Sequence, residues 1–216
     1  MSPLGLSLTI STAATVLVTL VAVPLAFVLA RARFVGKSAV ETLLTLPLVL
    51  PPTVVGYFLV TALGARGWVG RWLREAFDYS ILFRIEGAVL AAAIVSFPLL
   101  YLPAKAAFAN VSRELEDLAA LLGAGRVRVF WHVSLPIARR GILGGQALAF
   151  ARALGEFGAT VMVFGWQPGR LTMPISIYSA YEQGNVAQAL PTALLMTVIC
   201  FVLLGILNRA MSRRPA

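Results

Sequence analysis

Charge is scarce in this 216-residue chain, and thiol and imidazole groups are almost absent. Only 12% of residues are Asp, Glu, Lys or Arg, against about 25% in an ordinary soluble domain. Hydrophobic residues make up 59%, and the mean hydropathy is +0.87. So few polar side chains cannot cover a particle that faces water on all sides. A soluble enzyme and a disordered chain are both excluded. One cysteine, Cys200, excludes a disulfide scaffold and a cysteine-built metal cluster. One histidine, His132, excludes a multi-histidine metal site. The 18 glycines follow no fixed period, so a collagen-like repeat is excluded too. A multi-span membrane protein remains.

What is abundant is long uncharged sequence. Residues 1–30 carry no charged side chain, and a helix needs only about 20 residues to cross the hydrocarbon core. This run has no basic leader and is too long for a signal peptide, so it reads as a retained span. The runs predict five spans, near 4–30, 42–65, 87–108, 141–165 and 190–208. They form one membrane domain over 4–208, with a cytoplasmic loop at 110–140. Lys105 can snorkel from the end of the third span. The uncharged stretch 171–181 is too short to cross and reads as interfacial or re-entrant.

Five crossings put the termini on opposite sides. Arg31, Arg33, Lys37, Lys105, Arg113, Arg126, Arg128, Arg139, Arg140, Arg209, Arg213 and Arg214 fall on one side. Arg66, Arg71, Arg74, Arg84 and Arg170 fall on the other. Twelve basic residues against five place the first set in the cytoplasm, the N-terminus outside and the C-terminus inside. The net charge of +9 is then mostly a topology signal, and nucleic acid is not needed to explain it. Trp68, Trp72, Phe77, Tyr79 and Phe83 crowd the longest outside segment. They suit a short amphipathic helix anchored in the membrane interface.

Two features stand out within the spans. Pro24, Pro47, Pro51, Pro52, Pro98 and Pro103 each remove a helical hydrogen bond. In lipid the freed carbonyls need protein or a wet cavity, so the prolines mark either tolerated kinks or a pathway and its hinge. In the fourth span Arg152 and Glu156 stand four residues apart, on one face of a continuous helix. That face is small or polar: Gly145, Ala149, Arg152, Glu156, Thr160. An ion pair at membrane depth faces protein or water. It is either a structural pair or part of a pathway or gate, and Pro51 and Pro52 are candidates for the same gate. Gly36-Lys37-Ser38 resembles the end of a phosphate-binding loop, but Arg31 stands where the pattern needs glycine. No nucleotide site, catalytic residue or metal site is expected on this chain.

The cytoplasmic loop carries the most specific pattern. Ser112 suits an N-cap, with Glu114, Glu116 and Asp117 in the turns that follow. Leu115, Leu118, Ala119 and Leu122 form an apolar face, and Gly123 and Gly125 supply a stop and a turn. The stretch from Val127 to Val133 fits a strand or a helix.

These residues resemble the cytoplasmic signature of permease subunits of bacterial ABC importers. That signature runs Glu-Ala-Ala, three residues, Gly, nine residues, then Ile-x-Leu-Pro. Asp117-Leu118-Ala119, Gly123 and Val133-Ser134-Leu135-Pro136 keep its spacing, with Leu118 bulkier than the pattern. The resemblance extends over nearly the whole chain to molybdate permeases, through the run from Leu46 to Tyr57, the run from Phe150 to Thr160 and Met173-Pro174-Ile175-Ser176-Ile177-Tyr178. A departure is Gly165-Trp166-Gln167-Pro168-Gly169, where relatives commonly have Asn-Ile-Pro-Gly.

The resemblance implies an all-α membrane protein, a five-span bundle with a cytoplasmic coupling helix that works as a permease dimer. It implies two cytoplasmic ATPase subunits that hold ATP and magnesium, and a periplasmic or extracytoplasmic oxyanion-binding protein. The residues it assigns to ATPase coupling are Glu116, Asp117, Ala119, Gly123, Leu135 and Pro136. Molybdate is the implied cargo, with sulfate, thiosulfate and tungstate as alternatives. An ATP-independent secondary transporter is the alternative of another class, but no inverted repeat is evident.

Overall fold

The structure, a computed structural model, describes residues 1–212. Arg213 and Arg214, counted above on the basic side, lie outside the described residues. Among the described residues the chain forms eleven α-helices and no strand. In order they are α1 (Pro3–Arg31), α2 (Lys37–Thr45), α3 (Pro52–Leu63), α4 (Trp68–Phe77), α5 (Ile85–Ala109) and α6 (Arg113–Leu121). Then come α7 (Arg126–Val129), α8 (Leu135–Leu154), α9 (Gly158–Phe164), α10 (Met173–Glu182) and α11 (Val186–Ser212). A 3-10 turn, Leu46–Leu48, follows α2, and a π turn, Phe130–Ser134, joins α7 to α8.

Helices α1, α5 and α11 are each long and apolar enough to cross a membrane. The α2–α3 pair bends by 108°, and the helical run of α7 and α8 bends by 59° into α9. Five crossings follow if each bent pair counts as one. Two of the five apolar runs are therefore not the straight helices that hydropathy suggested. In the first, Pro51 is extended (φ −53°, ψ 133°), the conformation favoured before a proline, and α3 starts at Pro52. In the second, Gly155 closes α8 and the chain restarts at Gly158. Pro24, Pro98 and Pro103 stay inside unbroken helices, as tolerated kinks.

The core lies where α1, α5 and α8 pack. Along α1, Leu6, Ile10, Ala14, Val18, Ala22 and Ala26 repeat every fourth residue and are almost fully buried. They meet Ala88, Ala92, Leu100, Tyr101 and Ala104 of α5. In lipid, packing rather than water exclusion holds helices together, and small residues let the backbones approach. Gly141 and Gly145 of α8 serve this end. A Cβ on Gly145 would sit 2.8 Å from Leu100 Cδ1, and one on Gly141 would sit 2.6 Å from Ala107 Cβ. The hydroxyls of Ser11, Thr15 and Thr19 donate to carbonyls four residues back, at 2.7–2.8 Å. Polar groups are thereby satisfied without water. Gln146 Nε2 donates to Thr19 Oγ1 (3.0 Å), tying α8 to α1. Helix α11 leaves most of its apolar length uncovered.

Lys105 does more than snorkel. Its Nζ lies 2.6 Å from Glu41 of α2, which also faces Lys37 at 3.8 Å. The aromatic-rich segment between α3 and α5 forms the short amphipathic helix α4, with Trp68 and Trp72 exposed.

Candidate functional site

Two places in this bundle bring together the residues singled out above. The first is the pair of broken helices. The break before α3 and the break before α9 abut each other. A Cβ on Gly158 would lie 3.1 Å from Pro52 Cβ and 3.2 Å from Thr53 N. One on Gly56 would lie 2.9 Å from Ala159 Cα. Glycine at both positions lets the two half-helices touch backbone to backbone.

Glu156 sits in the break itself, not on a continuous helix face with Arg152 and Thr160. The single polar stripe expected from sequence is corrected accordingly. The reason is the carboxylate. Its Oε1 accepts from Ala159 N–H at 2.7 Å and caps α9, so the helix begins again just beyond it. Its Oε2 lies 2.7 Å from Arg152 Nη1. The Glu156 side chain is 1% exposed and that of Arg152 30%. A guanidinium carries five N–H donors, more than one carboxylate oxygen can engage. Pro52 is half-buried beside the break, and Pro51 is exposed.

The departure from the relatives' loop has a local use. Gln167 Nε2 donates to Phe83 O and Phe164 O, both at 2.8 Å. One amide thus ties the end of α9 to the chain entering α5.

The second place is α6. Ser112 is its N-cap by backbone conformation, but its hydroxyl makes no capping bond. The helix ends as expected, with Gly123 left-handed at φ +86°. None of its residues is fully buried. The apolar side points away from the bundle: Leu118 is exposed, Leu121 is 83% and Leu122 is 90% exposed. The strand-or-helix alternative for 127–133 resolves as helix. It widens to a π turn in which Leu135 N–H donates to Phe130 O. Pro136, unable to donate, sits just beyond that turn.

The six coupling candidates fall in three settings. Asp117 and Gly123 are exposed, and Ala119 is half-buried. Leu135 and Pro136 belong to the first turn of α8 rather than to a loop. Glu116 turns inward. Arg31 Nε donates to Glu116 Oε2 at 2.8 Å, Arg31 Nη2 pairs with Oε1, and Ser134 Oγ donates to Oε1 at 2.5 Å. Burial alone would raise the Glu116 pKa. The hydrogen bonds from Arg31 and Ser134, with the charges of Arg31 and Arg113, outweigh it and hold the carboxyl below its usual range. What the pair adds to stability is therefore complete above the ordinary carboxylate pKa. It is lost only as pH falls through the lowered one. Arg31 and Ser134 were not singled out from the sequence. Arg31 reads there as one of the basic residues of the cytoplasmic side and as a mismatch to a phosphate-binding loop, and Ser134 as the variable place in the signature.

A bundle of apolar helices with two bent pairs and an uncovered short helix outside it has the fold of ABC importer permeases. A crystal structure of a bacterial alginate ABC transporter, in complex with an alginate pentasaccharide-bound periplasmic protein, superposes with a TM-score of 0.75. The match covers 98% of this chain and 77% of that one at 20% identity, a likeness of fold. Residues 22–215 match the family described as binding-protein-dependent transport system inner membrane component, and the chain belongs to that family. It is a multi-pass membrane protein. It is 36% identical to the molybdenum transport system permease protein ModB of Haemophilus influenzae, over 99% of this chain and 93% of that protein. It is 46% identical to ModB of Escherichia coli K12 over 73% of this chain and 69% of that protein.

Proposed function

We propose that this chain is the permease subunit of an ATP-driven molybdate importer. It moves the oxyanion inward across the cell membrane. The observation that carries the reading is α6: a short helix with the signature spacing, held outside the bundle, with Leu118, Leu121 and Leu122 uncovered. An ATPase cleft is the surface that would cover it. The likeness to molybdenum permeases along nearly the whole chain supplies the cargo.

In this reading two copies pair around the pathway, and two ATPase subunits bind the two α6 helices from the cytoplasm. ATP and magnesium belong to those subunits, and this chain has no catalytic site of its own. An extracytoplasmic binding protein delivers the oxyanion to the face carrying α4. Each bent pair makes one of five crossings, the N-terminus lies outside and the C-terminus lies in the cytoplasm. ATP binding draws the ATPases together and biases a two-state bundle towards its outward-facing form. The abutting breaks at Pro51-Pro52 and Glu156 are the hinge of the gate, and the Arg152–Glu156 pair holds that hinge in register. Because the delivering protein selects the anion, the permease need not grip it tightly.

Uptake of labelled molybdate tests the reading. In cells lacking their own molybdate permease, the chain with its ATPase and binding protein should restore uptake. A large excess of unlabelled molybdate or tungstate should abolish it, and the same excess of sulfate should leave most of it. Inhibition by sulfate as strong as by molybdate would assign the importer that contains this chain, with its binding protein, to sulfate transport.

A further inference from the structure

Helix α6 meets the rest of the chain in a lopsided way. No residue of α6 is fully buried, so packing does little to fix it. Its one charged contact to α1 and to the π turn is Glu116, about 200° round the helix from Leu118. That carboxylate takes two donors from Arg31, the last residue of α1, and one from Ser134, the last residue of the π turn before α8. The side chains are 21% exposed for Arg31 and 14% for Glu116. A two-donor guanidinium–carboxylate contact is stronger and more directional than an ordinary surface pair.

The Arg31 end is itself immobilised. Its guanidinium carbon stacks 4.3 Å over Phe27 and lies 6.0 Å from Phe108. Phe27 meets Phe108 at 5.3 Å and Phe130 at 4.8 Å, joining α1, α5 and the π turn in one aromatic knot. A force on α6 thus reaches α1 through Arg31 and α8 through Ser134. Helix α8 then runs about 30 Å to the break that carries Arg152 and Glu156.

From this geometry we infer that Arg31, Glu116 and Ser134 form a clamp that transmits movement of the docked ATPase from α6 into α1 and α8. Glu116 is a positioning residue on the inner side of α6, not part of the surface that the ATPase touches. The inference rests on α6 being the docking helix, and its test separates the two statements.

The importer is purified with its ATPase and reconstituted with molybdate-loaded binding protein. ATPase stoichiometry, ATP hydrolysis and molybdate moved per ATP are measured. Glu116→Gln should keep the ATPase at full stoichiometry while molybdate moved per ATP falls at least about fivefold. Arg31→Gln should do the same. The double variant should be no worse than either single one, because the two residues act through each other. Should Glu116→Gln fold poorly, Ser134→Ala carries the test with an expected fall of about twofold. A purely structural contact would lower yield and leave molybdate per ATP unchanged in the complex that forms. That result, or loss of the ATPase from folded Glu116→Gln, overturns the clamp. Retention of the ATPase by a Leu118→Asp/Leu122→Asp variant would instead overturn the docking reading, whatever Glu116 does.

Discussion

Replacing Leu118 and Leu122 together by aspartate should release the ATPase while leaving the bundle inserted and folded. Both side chains are exposed, Leu118 at 56% and Leu122 at 90%, and neither belongs to the buried core. Each leucine buried on docking contributes about 1.5–3 kcal/mol. Loss of both weakens association by at least about a hundredfold, at 1.4 kcal/mol per factor of ten. Two charges forced against an apolar cleft add to that. Gly123→Val should act in the same direction through shape. No atom lies within 4 Å of a Cβ placed there, so the cost is conformational. A β-branched residue resists the φ of +86° and unwinds the end of α6. Co-purification of the ATPase with each variant is the measurement. Full stoichiometry in the double aspartate variant would show that the ATPase binds elsewhere.

The second large effect is expected at Arg152 and Glu156. Removing one partner of a buried pair typically costs about 3–5 kcal/mol, a large part of the about 5–15 kcal/mol that holds a domain folded. The two residues are not equivalent. Glu156 is buried and also caps α9, whereas Arg152 is partly exposed. Arg152→Gln strands a buried carboxylate and should cut folded yield more than Glu156→Gln does. In Glu156→Gln the amide oxygen can still accept from Ala159 N–H. The double glutamine variant should recover most of the yield and most of the uptake, since the charge is gone and the cap remains. Recovery of yield without uptake would show that Arg152 itself meets the passing dianion.

Much of the fold was legible in the sequence because lipid imposes simple rules. Uncharged runs located α1, α5 and α11 to within a few residues, since each must satisfy its own backbone bonds over the membrane thickness. The signature spacing placed α6 and its terminal turn at Gly123. What hydropathy could not show was where an apolar run breaks. Pro51 and Pro52 break the second run while Pro98 and Pro103 do not break α5, although the residue type is the same. Pro51 and Pro52 are adjacent, so Pro51 takes the extended conformation that precedes a proline, and Pro52 then meets Gly158 at the other break. The fourth run breaks at a glutamate, because a side-chain cap outweighed helical continuation. The same limit hid the direction of Glu116. Its neighbour Asp117 fits the signature, but contacts 85 and 18 residues away decide which acid turns inward.

Efflux of labelled molybdate from sealed proteoliposomes tests the transport reading most directly. The vesicles hold this chain with its ATPase oriented outward, and loaded binding protein is enclosed. ATP added outside should drive molybdate out of the lumen. Efflux should stop without ATP, without the binding protein, or with the Leu118→Asp/Leu122→Asp variant. Equal efflux driven by an ion gradient alone, with no ATPase present, would contradict an ATP-driven permease and make the chain a secondary transporter.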